Sequence, residues 1–181
     1  MELYEKTLSS KDIFKGRVIH VTLDEIELPN GHKSTREVVN HPGGVCIAAL
    51  NDKDELYFVR QYRYPYHEVV LELPAGKLEK GSTPLENGIR ELKEEVGAIG
   101  KDYKFLGELY PSTGYCSEII YLYFCRIDSM GNCCPDEDEF LNVEAIHIDK
   151  AVQMVLNNEI KDSKTQTAVL KTAMLLKNGV L

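Results

Sequence analysis

Several things are scarce or missing in this chain, and each absence narrows its function. No apolar run approaches the ~18 residues of a membrane span, and the opening MELYEKTLSSKD carries charges where a secretion signal would have its apolar stretch. A cytoplasmic protein with no membrane partner is expected. Positive charge is in deficit: 21 lysines and arginines stand against 29 aspartates and glutamates, a net charge of −8, which argues against bulk attraction to nucleic acid or anionic lipid. Tracts rich in proline, serine or glycine are absent, so no disordered arm is expected. The cysteines are five, an odd number, and the adjacent Cys133 and Cys134 lack the spacing of a zinc knuckle. Reduced thiols are the expected state.

What is present is enough for one compact domain: 181 residues, 43% of them hydrophobic. The acidity is concentrated. From Ile127 to Asp149 the chain has seven carboxylates (Asp128, Asp136, Glu137, Asp138, Glu139, Glu144, Asp149) and no lysine or arginine.

The first forty residues read as strand material. Val18–Leu23 with Ile26–Leu28, the turn Pro29-Asn30-Gly31, and Thr35–Val39 form a hairpin pattern. A second hairpin pattern joins Val45–Leu50 to Leu56–Arg60 across Asn51–Asp54, and Val69–Leu73 is a further strand. Thr83, Pro84 and Glu86 predict a capped helix start, and Gly97 its stop. Strands near Tyr103–Tyr110, Ile119–Ile127 and Val143–Ile148 follow, then two helices, one capped by Asp149 and running through Ile160, the other opened by Ser163 with Gln166 and running through Lys177.

The central helix carries the chemistry. At 100° per residue, Glu95 lies about 40° and Glu94 about −60° from Glu91, so three carboxylates share a face. Leu85, Ile89, Leu92 and Val96 make an apolar stripe to dock on a sheet, which turns the acidic face outward or into a cleft. Arg90, four residues from both Glu86 and Glu94, can neutralise part of it. Such faces are commonly just solvated. Here, however, like charges three or four residues apart repel, and a divalent cation relieves the conflict. Hard oxygen donors suit Mg2+ or Mn2+, which share carboxylates with water and phosphate oxygens.

From Gly76 the sequence reads GKLEKGSTPLENGIRELKEEVGA, which resembles the Nudix box G-x5-E-x7-R-E-U-x-E-E-x-G-U, U being aliphatic. Gly76, Arg90, Glu91, Leu92, Glu94, Glu95 and Gly97 match. Ser82 stands where the box has glutamate, and Ala98 is small for the last aliphatic position. Further stretches (LPNGHKSTREVVNHPGGV, VRQYRYP, LELPAGKLEKG, YPSTGYCSEIIYLY, DEDEF and EIKDSKTQTAVL) are similar to the ADP-ribose pyrophosphatase branch of the Nudix hydrolases, which splits ADP-ribose into AMP and ribose 5-phosphate.

The resemblance implies an α+β fold, a mixed β-sheet sandwich flanked by helices, with an N-terminal hairpin region over 1–40 and the Nudix domain over 41–181. It implies metal ligands at Ala75 (through its carbonyl), Glu91, Glu95 and Glu139, with Glu94 as a further candidate, and a general base at Glu137. It also implies substrate contacts at Arg36, Glu37, Arg63, Ser112, Thr113, Gly114 and Glu118, with Arg63 on the diphosphate; Arg60 is a weaker candidate. A homodimer is implied, with the hairpin from about Lys15 to Val39 crossing to the partner. The adenine-stacking position of the branch falls at Arg17 and Val18, neither aromatic, which leaves Phe14, Tyr4 or the Arg17 guanidinium as substitutes. Two alternatives stay open: hydrolysis of another nucleoside diphosphate sugar or dinucleotide, and a non-catalytic metabolite sensor. The acidic stretch is then half of a metal site, with Glu137 and Glu139 joining Glu91 and Glu95 around Mg2+.

Overall fold

The structure is a computed structural model that describes residues 3–134 and 140–181. The chain divides into two compact units: Met1–Gly43 with Tyr110–Ile119, and Gly44–Leu109 with Ile120–Leu181.

In the first unit, strands β1 (Lys6–Lys15), β2 (His20–Glu27) and β3 (Lys33–Asn40) form an antiparallel sheet with β2 in the middle. The β2–β3 hairpin has the expected turn: the Leu28 N–H donates to the His32 carbonyl, and Gly31 adopts a φ of 82° that glycine takes without strain. Strand β1 was not anticipated as a separate element. All ten of its residues are exposed, so no apolar alternation announces it. The segment from Tyr110 is tied to the end of β3, where the Val39 N–H donates to the Tyr115 carbonyl and the Ser117 N–H to the Val39 carbonyl.

The second unit holds β4 (Gly44–Leu50), β5 (Glu55–Arg63), β6 (Glu68–Glu72), β7 (Ala75–Lys77), β8 (Ala98–Leu109), β9 (Ile120–Met130) and β10 (Leu141–His147). The order is β10-β5-β4-β9-β8, with β6 on β5 and β7 on β4. Strands β4 and β9 are parallel and the other pairs antiparallel, which makes the sheet mixed. Helix α1 (Pro84–Glu91), α2 (Ile148–Leu156) and α3 (Ser163–Lys177) cover it.

All seven residues of β4 are buried, because both faces of the sheet are covered. Cys46, Ala48 and Leu50 join Phe58, Phe124, Ala168 and Val169 in the layer with α2 and α3. Ile47 and Ala49 join Val59, Leu92, Val96 and Cys125 in the layer with α1. This is the expected α+β sandwich. The five cysteines form no disulfide: Cys46 and Cys125 are buried, Cys116 is half-buried, and Cys133 and Cys134 are exposed.

Three local expectations need correction. The α1 stripe does not dock as drawn: Ile89 is exposed and Leu85 half-buried, whereas Asn87, Gly88, Glu91, Leu92, Glu95 and Val96 face inward. Gly88 packs so closely that a Cβ there would lie 2.7 Å from Ile47 Cδ1. It is this close seat of Gly88 on β4 that turns Leu85 and Ile89 away from the sheet; beyond them, from Leu92 to Val96, the helix widens to a π-turn whose Leu92 and Val96 are buried as expected. The cap of α2 is His147, whose ring accepts from the Asp149 N–H, and the helix ends at Leu156 rather than Ile160. The cap of α3 is Asp162, which accepts from the Thr165 N–H, while Gln166 donates to the Ile160 carbonyl instead of closing a capping box.

Candidate active site

The start of α1 is built as expected. Thr83 Oγ1 accepts from the Glu86 N–H at 3.2 Å, and Glu86 Oε2 accepts from the Thr83 N–H at 2.7 Å, a reciprocal box that leaves Ser82 outside the cap. The stop is also as expected, with Gly97 at a φ of 74°.

Between these ends the acidic face turns inward onto β7. Glu91 is 9% exposed and Glu95 only 2%. Glu91 lies against the backbone of Gly76 so tightly that a Cβ there would sit 1.9 Å from Glu91 Oε1. Only glycine leaves room for that carboxylate. Glu95 Oε2 accepts from the Ala75 N–H at 3.1 Å, which sets its carboxylate on the Pro74–Ala75 peptide, one peptide before the Ala75 carbonyl. Arg90 draws the group together, reaching Glu91 at 2.7 Å, Glu94 at 2.5 Å and Glu79 at 3.2 Å. Burial by itself would lower the Arg90 pKa, but Glu91, Glu94 and Glu79 outweigh it and hold the guanidinium above its ordinary value.

Ala75, Glu91, Glu94 and Glu95 are therefore brought together. Among the described residues no three His, Cys, Asp or Glu side chains form a metal-holding group, and Arg90 supplies positive charge to Glu91 and Glu94. The donors still suit a hard divalent cation: carboxylate and carbonyl oxygens, with space made by Gly76. Glu137 and Glu139 lie outside the described residues.

Arg63, at the end of β5, is held by Glu72 of β6: Arg63 Nε donates to Glu72 Oε1 at 2.6 Å and Nη2 to Oε2 at 2.8 Å. Lys164 Nζ binds Glu72 Oε2 from the other side and Asp162 Oδ2 at 3.0 Å. Burial would raise the Glu72 pKa, yet Arg63 and Lys164 more than reverse this and hold its carboxyl below the ordinary range. Lys164 behaves in mirror image: burial alone would lower its ammonium, but Asp162 and Glu72 raise it. Sequence reasoning assigned no role to Glu72, Lys164 or Asp162. Their partners are 92 residues apart in the chain (Glu72 and Lys164), so spacing carried no signal.

The remaining candidates belong to the first unit, except Arg60 on β5 of the second. Arg36 makes a two-pronged pair with Glu5, at 3.0 and 2.5 Å. Glu37 follows it on β3 and so projects from the opposite face of that sheet. Thr113 and Gly114 are exposed, and Ser112 is half-buried with its carbonyl accepting from the Cys116 N–H. Glu118 lies 3.3 Å from His41 Nδ1. Arg60 is paired with Glu144 at 2.5 Å.

Known proteins resemble this chain over most of its length. The chain is 41% identical to the methanol dehydrogenase activator of Bacillus methanolicus, over 91% of this chain and 90% of that one. It is 38% identical to the ADP-ribose pyrophosphatase of Bacillus subtilis, over 92% and 91%, and 30% identical to the GDP-mannose pyrophosphatase of Yersinia enterocolitica, over 91% of each. A crystal structure of an ADP compounds hydrolase superposes over the whole of both chains with a TM-score of 0.86 at 21% identity, a likeness of fold. Residues 5–39 match the model of the nucleoside diphosphate sugar hydrolase N-terminal domain. Residues 40–167 match that of the NUDIX domain, and with most of its length so matched the chain belongs to the NUDIX family.

Proposed function

We propose that this chain hydrolyses the pyrophosphate bond of ADP-ribose, giving AMP and ribose 5-phosphate, with Mg2+ as its working ion and Mn2+ as a substitute. The observation that carries the reading is the pair of buried carboxylates, Glu91 and Glu95, seated on the Ala75-Gly76 backbone. The 38% identity to an ADP-ribose pyrophosphatase over nearly the full length supports the choice of substrate.

Ala75, Glu91, Glu95 and Glu139, with Glu94, are the residues that would hold the ion. When bound, it neutralises charge on the phosphate oxygens and makes a bound water more acidic. The chain's own groups do the rest. Arg63 has five N–H donors, of which Glu72 takes two, so the others serve the diphosphate. Glu137 takes the proton of the attacking water. Arg36, Glu37, Ser112, Thr113, Gly114 and Glu118 recognise the parts of the substrate beyond the diphosphate, in a homodimer with the N-terminal hairpin crossing to the partner subunit. Expected site and organisation follow the division into 1–40 and 41–181. No helix among the described residues is long and apolar enough to cross a membrane; the location proposed with this function is the cytoplasm.

The test is Mg2+-dependent hydrolysis of ADP-ribose beside ADP-glucose, GDP-mannose, NADH and diadenosine polyphosphates. ADP-ribose should be preferred; a roughly tenfold higher kcat/KM for any other overturns the assignment. The GDP-mannose pyrophosphatase relative makes GDP-mannose the most pointed of these competitors. A second reading is favoured by the 41% identity to a dehydrogenase activator: a Nudix protein whose metabolite binding regulates a partner enzyme. Binding of ADP-ribose by the wild-type chain with no product would select it.

A further inference from the structure

Among the groups that sequence reasoning left unassigned, the linked ion pairs at the start of α3 stand apart. Glu72 and Lys164 are almost fully buried, with side-chain exposures of 3% and 12%, while Arg63 is 40% exposed. Together with Tyr66 and Asp162 they line a cavity of about 330 Å3. One buried carboxylate thus faces two cations. A buried ammonium is costly, and here it is compensated twice over, by Glu72 and by Asp162. The helix does not need Lys164 to be anchored: Asp162 caps it, and Thr165 Oγ1 accepts from the Leu73 N–H at 2.9 Å.

We propose that Lys164 is a positioning residue which shares the charge of Glu72 and so keeps Arg63 electropositive toward a bound diphosphate. Were Glu72 paired with Arg63 alone, its whole negative charge would fall on the guanidinium that has to attract the phosphates. With Lys164 on Oε2 and on Asp162, the two cations and two carboxylates at the cavity wall sum to zero, whereas without Lys164 they would sum to one negative charge beside the diphosphate. The inference rests on the reading of Arg63 as the diphosphate contact.

The experiment is steady-state kinetics on ADP-ribose, together with thermal melting, for wild type, Arg63→Lys, Lys164→Met, Lys164→Arg and the pair Glu72→Gln/Lys164→Met. Lys164→Met should raise KM about tenfold or more with kcat little changed. Lys164→Arg should retain most of the affinity, and adding Glu72→Gln to Lys164→Met should regain it by removing the unshared charge. A purely structural lysine predicts otherwise: kcat and melting temperature fall, KM stays, and the second substitution makes matters worse. That pattern, or an unchanged KM in folded Lys164→Met, overturns the proposal. If Lys164→Met does not fold, the charge-balanced pair decides: wild-type affinity supports the proposal, while a raised KM or failure to fold overturns it. Wild type inactive on ADP-ribose refutes the substrate; an unchanged KM in Arg63→Lys refutes the Arg63 contact. Each is distinct from failure of the Lys164 inference.

Discussion

Glu95 is the side chain on which the site is most sharply tested. Its carboxylate is buried and accepts a backbone N–H, a bond that an amide oxygen can replace. Glu95→Gln should therefore melt close to wild type, while its Mg2+-supported turnover falls on the order of a hundredfold or more. Gly76→Ala should fail differently. The new methyl would collide with Glu91, so we expect both lost turnover and a melting shift equivalent to about 1–3 kcal/mol. Acid should act through Glu72. Its folded pKa lies below the ordinary 4.5, so its pairing stabilises the protein above that value, and the stability is lost as pH falls through the folded value. Melting curves of wild type and Glu72→Gln should accordingly converge from about pH 5 downward. The box residues were legible from spacing because one helix places them together. Glu72 and Lys164 were not, since only tertiary folding brings β6 to α3.

At the scale of elements, the boundaries of α1 could be read from chemical punctuation, while its inward face and the caps of α2 and α3 could not. Thr83, Pro84, Glu86 and Gly97 mark α1 and its π-turn to the residue. The inward face was misjudged because α1 docks through Gly88, whose missing side chain lets it sit against Ile47 and Val45 and which adds nothing to an apolar stripe. Glu95, on the Ala75 N–H, and Val96, in the core, both lie in the π-turn, so the chemistry and the packing share one short segment. Thr83→Ala removes one half of the reciprocal cap and should cost about 1 kcal/mol in chemical denaturation. Turnover should be less affected, because the cap lies two turns from Glu91. Strand β1 shows the opposite limit: ten exposed residues give no alternation to read, and the pairing of Lys6–Lys15 with β2 is set by backbone hydrogen bonds.

For the molecule as a whole, the order of strands and helices in the second unit was visible in sequence except for the three-residue β7, too short to show a period, and the mixed sheet followed from family likeness rather than from periodicity. The pairing of β4 with β9, more than seventy residues away, has no local signature. The proposed homodimer is checked by sedimentation: a species of twice the 20.5 kDa chain mass at micromolar concentration is expected, and a monomer there removes any site shared between subunits. The cysteines provide a chemical clock for such a molecule. Burial pushes the Cys125 thiol up to about 12 and the Cys46 thiol higher still, so neither forms the thiolate that alkylating reagents attack until its layer opens. Cys133 and Cys134 should be labelled at once, while Cys46 and Cys125 time the exposure of the two opposite faces of the sheet. Pulsed alkylation read by mass spectrometry would then tell whether the α1 layer that carries the box loosens before the α2–α3 layer beneath it.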